Sequence, residues 1–291
     1  MMKKYWQFLA LVLSIHCSYA QTSMNTLLWK VQMKGNPNVS YIFGTYHTVS
    51  PNFFDSLKIP TTKLAESDIL FIEEQKTVYD NSKIDLQKEK WDVTKWRSVL
   101  SKTQDSIFTQ FVLKSEETNL YNYSPLLVLL NLNSLYTKFF CETEPYTDML
   151  MDHHIESLAR KLNKTVLSLD TIQTEILNSA STLYTYQQTS LLISGCIRYM
   201  SNMLNENLED CDLFYQYKKL DIDYQLDTDF TKSEAISVLL VERNNRWVHK
   251  LKDSFLKKKC FAAVGLRHLF YKQGLIQQLR KLGFIVEPVF M

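Results

Sequence analysis

The 291-residue chain has a hydrophobic fraction of 45% and a charged fraction of 22%, a composition typical of a globular protein with a buried core. This composition excludes a disordered chain, a collagen and a coiled coil, and a formal net charge of +2 gives no basic excess for binding nucleic acid. Glycine is scarce, with 6 residues where average usage of roughly 7% would give about 20.

The first 20 residues have the organisation of a secretory signal peptide. Two lysines precede an apolar run over residues 5–15 that is too short to span a bilayer, and small residues before the cleavage position end at Ala20. We expect cleavage after Ala20 and a periplasmic or secreted protein without net charge. The residue before Cys17 fits a lipobox poorly, so a lipoprotein is not expected. No later segment has the length of a transmembrane anchor.

Cysteine usage is compatible with export. Four cysteines follow the predicted cleavage position, and an even number in an oxidising compartment permits disulfides. Four cysteines allow three connectivities, so the sequence does not determine the pairing. The absence of a C-x-x-C pair argues against a thiolate zinc site or a redox motif. The four are Cys141, Cys196, Cys211 and Cys260.

Six short apolar runs predict the strands of a sheet. Residues 27–33 and 39–43 flank a turn at residues 35–38 and predict an N-terminal hairpin. The other runs have the continuous apolar character of strands buried on both faces, and helical patterns separate them. They cover residues 69–72, 165–169, 261–264 and 284–286.

Helical periodicity predicts two groups of helices. One group alternates with the strands, over residues 60–67, 152–162, 235–256 and 274–282. The other occupies a middle section of about residues 95–207, with stretches at 95–114, 125–139 and 171–207. Because the strands come from both ends of the chain, we expect one α/β domain over residues 21–291. It would have a mostly parallel central sheet, the N-terminal hairpin, flanking helices and a helical middle insertion.

Four of the predicted strands end in polar residues able to do chemistry. Ligands of open α/β sheets bind outside the carboxyl ends of the strands, so these side chains are expected to meet at one edge if the strands are parallel neighbours. Two histidines with carboxylates suit a divalent first-row metal, and the same G-x-x-H spacing occurs twice. In chain order the residues are Gly44 and His47, Glu73 and Glu74, Asp170, and Gly265 and His268.

Each of these residues also has a purely structural interpretation. A histidine after a strand is often a hydrogen-bonded loop residue, and Glu73 or Glu74 can be a strand end that reaches solvent. Asp170 is favoured as the N-cap of a following helix. The cluster at residues 152–154 lies at a helix start, where neighbouring side chains point in different directions. We therefore expect Asp152 to be a cap and the two histidines after it to be surface residues.

Five blocks in order along the chain resemble the TraB/PrgY/GumN family, which includes the Tiki proteases. The first ends in Gly-Thr-Tyr-His, the second is an apolar strand followed by a glutamate, and the fourth contains Glu-Arg-Asn on a helix. The last contains the second G-x-x-H motif. The blocks cover residues 27–47, 67–73, 152–171, 242–244 and 264–288.

The resemblance implies a metal-dependent hydrolase on an α/β fold like those of the Tiki and ChaN proteins, and a metalloprotease for the Tiki branch. Arg243 corresponds to the arginine of the Glu-Arg-Asn block. Asp170 stands where the family usually has glutamate, and Glu74 is a further candidate for the site. The family's motif residues correspond here to Gly44, His47, Glu73, Gly265 and His268.

We therefore predict a secreted metal-dependent hydrolase that acts on a peptide or protein. His47 and His268 would bind Mn²⁺, Co²⁺ or Zn²⁺, and Glu73 would be a third ligand or the general base that deprotonates water. Arg243 would neutralise developing oxyanion charge. The alternatives are a haem- or other ligand-binding protein resembling ChaN-like lipoproteins, a non-catalytic interaction protein, and a hydrolase of small esters resembling the erythromycin esterases.

Overall fold

A six-stranded sheet forms the centre of the fold. The structure is a computed structural model that describes residues 24–74, 91–144, 149–170, 185–229 and 237–291, with side chains from residue 240 in the last range. The predicted signal peptide lies outside these ranges. Among the helices they contain, none has the length and apolar character needed to cross a membrane.

The strands have the order β5-β4-β7-β3-β2-β8 in this sheet. The four from β5 to β3 are parallel, while β2 is antiparallel to both β3 and β8. The short strands β1 and β6 pair with each other. The bounds are β1 Met24–Asn25, β2 Leu28–Met33, β3 Val39–Thr45, β4 Ile69–Ile72, β5 Thr165–Ser168, β6 Asp221–Ile222, β7 Cys260–Gly265 and β8 Phe284–Val289.

The predicted α/β class, the hairpin and the mostly parallel sheet are confirmed. Strands β4 and β7 are buried along almost their whole length, as their continuous apolar sequences predict. Strands β5 and β8 lie at the two edges of the sheet, and the expectation that both their faces are buried was wrong. Leu167 and Ile285 are exposed there, because burial depends on what covers a strand as well as on its own sequence.

Helices flank the sheet and make up most of the middle of the chain. The helix predicted over residues 95–114 is two helices, because Ser101 and Gln104 form a capping box that starts a new helix. Part of the stretch predicted at 171–207 lies outside the described residues. The helices are α1 Pro51–Ser56, α2 Lys58–Glu66, α3 Val93–Val99, α4 Lys102–Ser115, α5 Pro125–Tyr136, α6 Met151–Lys161, α7 Tyr186–Leu204, α8 Asp212–Lys218, α9 Ser237–Phe255 and α10 Leu275–Lys281.

A disulfide ties the middle of the chain to the segment before α8. Cys141, the last residue of a π-helical turn that continues α5, is bonded to Cys211. The sequence permitted disulfides, and the structure contains one between described cysteines, with a pairing that the sequence left open. Cys196 and Cys260 are buried free thiols. Burial raises the pKa of both, so they are poor nucleophiles.

Side chains from the helices fix the end of β3, where the predicted site begins. The Tyr217 hydroxyl of α8 donates a 2.9 Å hydrogen bond to the Gly44 carbonyl. A side chain on Gly44 would collide with Leu266, since a Cβ there would lie 2.8 Å from Leu266 Cδ1. Leu266 begins a short 3₁₀ turn, Leu266–Leu269, that follows β7. The glycine thus allows the turn containing His268 to pack closely against β3.

Candidate functional site

The predicted site residues meet above Gly265, at the carboxyl end of β7. Strand β7 has β3 on one side and β4 on the other, all three parallel, so His47, Glu73 and His268 emerge at the same edge. A Cβ placed on Gly265 would lie 3.0 Å from Glu73 Oε1, 3.5 Å from His47 Nε2 and 3.7 Å from His268 Cδ2. Glycine therefore leaves open the point at which these three side chains converge.

His47 is held by Asp152, from the first turn of α6. The Asp152 carboxylate bonds to His47 Nδ1 and also accepts a 2.6 Å hydrogen bond from the Thr45 hydroxyl. His47 Nε2 therefore faces the convergence point. The His47 side chain is nevertheless 50% exposed. The negative charge of Asp152 raises the pKa of His47 to about 9, against the opposing effect of burial.

The expectation that Asp152 caps its helix was wrong. Leu150 is the N-cap residue of α6, and the Asp152 carboxylate points instead at the end of β3. His154 is partly buried and hydrogen-bonds to Asp55 at 2.8 Å, so it is not a free surface residue. No local sequence pattern predicts the contact between Asp152 and His47, because the two residues lie 105 residues apart.

His268 is held by Asn244 of α9 and is buried, with 2% of its surface exposed. Asn244 Nδ2 donates to the carbonyls of His268 and Gln273, both at 3.1 Å, so its Oδ1 faces His268 Nδ1 at 2.7 Å. Because an amide oxygen only accepts, this network assigns the proton to Nδ1 and the lone pair to Nε2. Burial lowers the pKa of His268 to about 3, so the ring is neutral.

Arg243 links the carboxylates of the site. Its Nη2 donates to Glu73 Oε2 at 2.5 Å and its Nε donates to Asp170 Oδ2 at 2.8 Å. Its Nη1 lies 3.3 Å from His268 Nε2. Trp247, one turn further along α9, donates to Asp170 Oδ1 at 2.7 Å and lies under the guanidinium, 4.4 Å from its carbon. Asp170 therefore orients Arg243; the helix that it was expected to cap lies outside the described residues.

The two adjacent glutamates differ in their surroundings. Burial raises the pKa of Glu73, but the charge of Arg243, with smaller contributions from the histidines, outweighs it and holds the pKa well below its usual range. Glu73 Oε1 also accepts the Gly265 N–H at 2.7 Å, which fixes the carboxylate. Glu74 Oε2 is buried and has no hydrogen-bond partner among the described residues, and burial raises the pKa of Glu74.

The donor atoms at Gly265 have the chemistry of a metal site. Each histidine has its Nδ1 engaged by a second side chain and its Nε2 directed inward, as in histidines that bind metals, and Glu73 adds a carboxylate oxygen. These donor atoms are not spaced as they would be in a closed shell of metal ligands. Within the described ranges, no three His, Cys, Asp or Glu side chains are grouped closely enough to hold an ion. Arg243 contacts both Glu73 and His268.

The fold and site together define an α/β protein with two histidines, a glutamate and an arginine at the carboxyl ends of its parallel strands. The chain belongs to the TraB/PrgY/gumN family, whose model matches residues 27–288, from the start of the hairpin to the last strand. Searches of curated proteins and of solved structures gave no match.

At Gly265 the structure brings together His47, Glu73 and His268, with Arg243 and Asp170 beside them. Gly44 packs against Leu266 instead, and Glu74 Oε2 has no hydrogen-bond partner among the described residues. The sequence interpretation missed the contacts of three further residues: Asp152, Asn244 and Trp247. The sequence contained a clue to two of these contacts. Asn244 follows Arg243 directly, and Trp247 lies four residues after Arg243 on the same helical face.

Proposed function

We propose that the protein is a metal-dependent hydrolase with a peptide or protein substrate. The observation that carries this proposal is the meeting of His47 Nε2, Glu73 Oε1 and the His268 ring within 4 Å of one point above Gly265. Two imidazoles and a carboxylate suit a divalent first-row ion such as Mn²⁺, Co²⁺ or Zn²⁺. The resemblance of these motifs to those of the Tiki branch supports a peptidase.

A divalent ion at these residues would supply Lewis acidity, which activates water and polarises a carbonyl. Glu73 presents Oε1 to the point between the histidines and either binds the ion or takes the proton of the attacking water. A Glu73→Gln variant separates these roles, because glutamine retains an oxygen donor but does not accept the proton. Lost activity with retained metal indicates the base, and lost metal indicates the ligand.

Arg243 is the residue we propose to stabilise negative charge developing on the substrate. Burial lowers its pKa, but the carboxylates of Glu73 and Asp170 outweigh this effect and keep the guanidinium charged. Asp170 and Trp247 hold the guanidinium in one orientation. A fixed cation in a site shielded from water stabilises an oxyanion more strongly than a solvated one does.

We also propose that the protein acts outside the cytoplasm. The disulfide between Cys141 and Cys211 suits an oxidising compartment, because cytosolic thiols are kept reduced. It agrees with the predicted signal peptide, and N-terminal sequencing of exported protein tests cleavage after Ala20.

Metal analysis is the direct test of the site. Purified protein exposed to Mn²⁺, Co²⁺ or Zn²⁺ is compared with the His47→Ala/His268→Ala double variant. His249→Ala is the matched control, because His249 is an exposed histidine on α9. We expect bound metal in the wild type and the control and none in the double variant. Equal metal content in all three contradicts the assignment.

A peptide-library digest with Mn²⁺ or Co²⁺ tests the reaction, with Glu73→Gln as the inactive control. We expect cleavage that the substitution abolishes. Cleavage of small esters alone would indicate an esterase, and a Soret band after mixing with hemin would indicate a haem-binding protein. Absence of all three activities would indicate an interaction protein.

A further inference from the structure

A pocket opens directly beside His47. Its walls come from residues 47–51 after β3, the end of α5 with the π-helical turn, and residues 149–150 before α6. The pocket has a volume of about 130 Å³. A cavity of about 150 Å³ holds benzene, so the space suits one medium-sized side chain. Since His47 belongs both to this wall and to the convergence point at Gly265, the pocket adjoins the proposed reaction centre.

Apolar side chains form part of the pocket wall, and three of them are exposed in the free protein. Val49 and Pro51 lie on one side, and Leu135, Met149 and Leu150 also line it. The last three are exposed to 40%, 44% and 37%. Large apolar side chains exposed around one cavity are typical of a ligand-binding site, because an apolar ligand removes them from water.

The charged side chains around the pocket already have partners. Glu142 Oε1 accepts two backbone N–H groups and lies 3.5 Å from Lys218 Nζ, which also binds Glu144 at 2.9 Å. The ammonium group of Lys138 lies 4.9 Å from the centre of the Phe139 ring. A charged substrate side chain would therefore compete with existing ion pairs or lose its hydration.

Two hydroxyl groups of residues that line the pocket lack a hydrogen-bond partner in the part of the chain that the structure describes. They are Thr48 Oγ1 and Ser50 Oγ, and both atoms are buried. A buried hydroxyl without a partner costs about 1–3 kcal/mol, so a change of rotamer that brings either hydroxyl into the pocket would let a ligand satisfy it. The backbone of a bound peptide offers both a donor and an acceptor.

We propose that this pocket is a specificity subsite that holds the uncharged, apolar side chain of the substrate residue beside the scissile bond. This inference rests on the proposed hydrolase function. Leucine, methionine or phenylalanine fits the size and the apolar wall, whereas lysine, arginine, aspartate and glutamate do not. The hydroxyl of Thr48 or Ser50, brought into the pocket by a change of rotamer, would hydrogen-bond to the adjoining peptide group.

Peptide binding to the Glu73→Gln protein tests the subsite without requiring catalysis. Two fluorescein-labelled alanine hexapeptides are compared by anisotropy, one with a central leucine and one with a central lysine. We expect the leucine peptide to bind about tenfold or more tightly, the discrimination typical of an apolar pocket. Adding Leu135→Glu places a carboxylate on the pocket wall and should reduce or reverse that ratio. Leu113→Glu is the control, since Leu113 is exposed on α4 and does not line the pocket.

Three results would overturn the subsite: no binding of either peptide, tighter binding of lysine to the parent, or an unchanged ratio in Leu135→Glu. A leucine preference that changes with Leu135 supports it. The library digest distinguishes failure of the hydrolase proposal. If the wild-type protein cleaves nothing while peptide preference still depends on Leu135, the pocket stands as a peptide-binding site and the hydrolase proposal fails.

Discussion

The two histidines of the site follow glycines at the same spacing but lie in opposite environments. Half of the His47 side chain is exposed, and its partner is the carboxylate of Asp152. Only 3% of the His268 side chain is exposed, and its partner is the neutral amide of Asn244. The pKa of His47 is accordingly raised to about 9, whereas that of His268 is lowered to about 3.

This difference divides the site into a buried half and an exposed half. The buried half comprises His268 and the residues of α9 around it, where each polar group depends on another for its hydrogen bonds. The exposed half comprises His47, beside the pocket where a substrate can enter, and its carboxylate partner Asp152 lies beneath it at 13% exposure. We expect substitutions in the buried half mainly to reduce stability, and substitutions in the exposed half mainly to reduce metal or ligand binding.

Replacing Arg243 should have the largest effect on stability. Arg243→Met leaves the buried carboxylates of Glu73 and Asp170 without their shared cation, which should lower the free energy of unfolding by about 3–5 kcal/mol. Urea denaturation with a chelator present measures it free of metal effects. Arg246→Met is the control, since Arg246 is 55% exposed and should contribute less than about 1 kcal/mol. Equal losses of stability in the two variants would contradict the division of the site into a buried and an exposed half.

Removing the disulfide should reduce both the stability of the protein and binding at the pocket. Cys141 and Cys211 close a long loop, with a sequence separation of 70, and Glu142 of the pocket follows Cys141 directly. Cys141→Ser/Cys211→Ser should lower stability by about 2–4 kcal/mol and weaken binding of the leucine peptide. Metal content should remain, because neither cysteine contacts the convergence point. Denaturation with and without dithiothreitol provides the check, because the reductant should destabilise the wild type but not the double variant. An equal effect of dithiothreitol on both proteins would contradict the prediction.

Removing the hydrogen-bond partner of His268 should lower the stability of the protein. Asn244→Leu leaves the buried His268 Nδ1–H without an acceptor, which should lower the free energy of unfolding by about 1–3 kcal/mol. The neighbouring Asn245 is exposed, so Asn245→Leu should change it by no more than about 0.5 kcal/mol. Thermal and urea denaturation of the pair measure the difference, and matching curves would show that the amide does not hold the ring.

Removing the charge beside His47 should change binding more than folding. Asp152→Asn retains hydrogen-bonding atoms but lacks the negative charge, and loss of such a partner typically weakens metal affinity about 10–100-fold. We expect a smaller loss of stability than in Arg243→Met, because Asp152 holds one ionic partner whereas Arg243 holds two. Asp55→Asn is the matched control, because Asp55 bonds to His154 away from the convergence point. Titration calorimetry with Mn²⁺ or Co²⁺ distinguishes the variants, and equal affinities would remove Asp152 from the site.

Local sequence predicted the strands well and their surroundings poorly. The strand Ile69–Ile72 was predicted with its observed bounds, since a short apolar run lies between Asp68 and Glu73. The exposure of Leu167 and Ile285 could not be predicted, because it depends on which neighbours a strand lacks. The new helix beginning after Ser101 could have been predicted from the Ser-x-x-Gln pattern of its capping box.

The same distinction applies to the candidate site. His47, Glu73 and His268 could be placed at one edge because each follows a strand and parallel strands end together. The carboxylate that holds His47 could not be found, since Asp152 lies on a helix whose packing against β3 is a tertiary effect. Its acidic position in the first turn of α6 is equally suitable for stabilising the helix dipole, so local sequence favoured the wrong role.

Strand β7 also determines when the site can form during synthesis and folding of the chain. It lies between β3 and β4 and is hydrogen-bonded to both, yet it is synthesised about two hundred residues after them. Until Gly265 has joined the sheet, His47 and Glu73 have no common neighbour. A nascent or truncated chain that lacks β7 therefore lacks Gly265 and cannot form the convergence point, so the site is assembled only after most of the chain has been made.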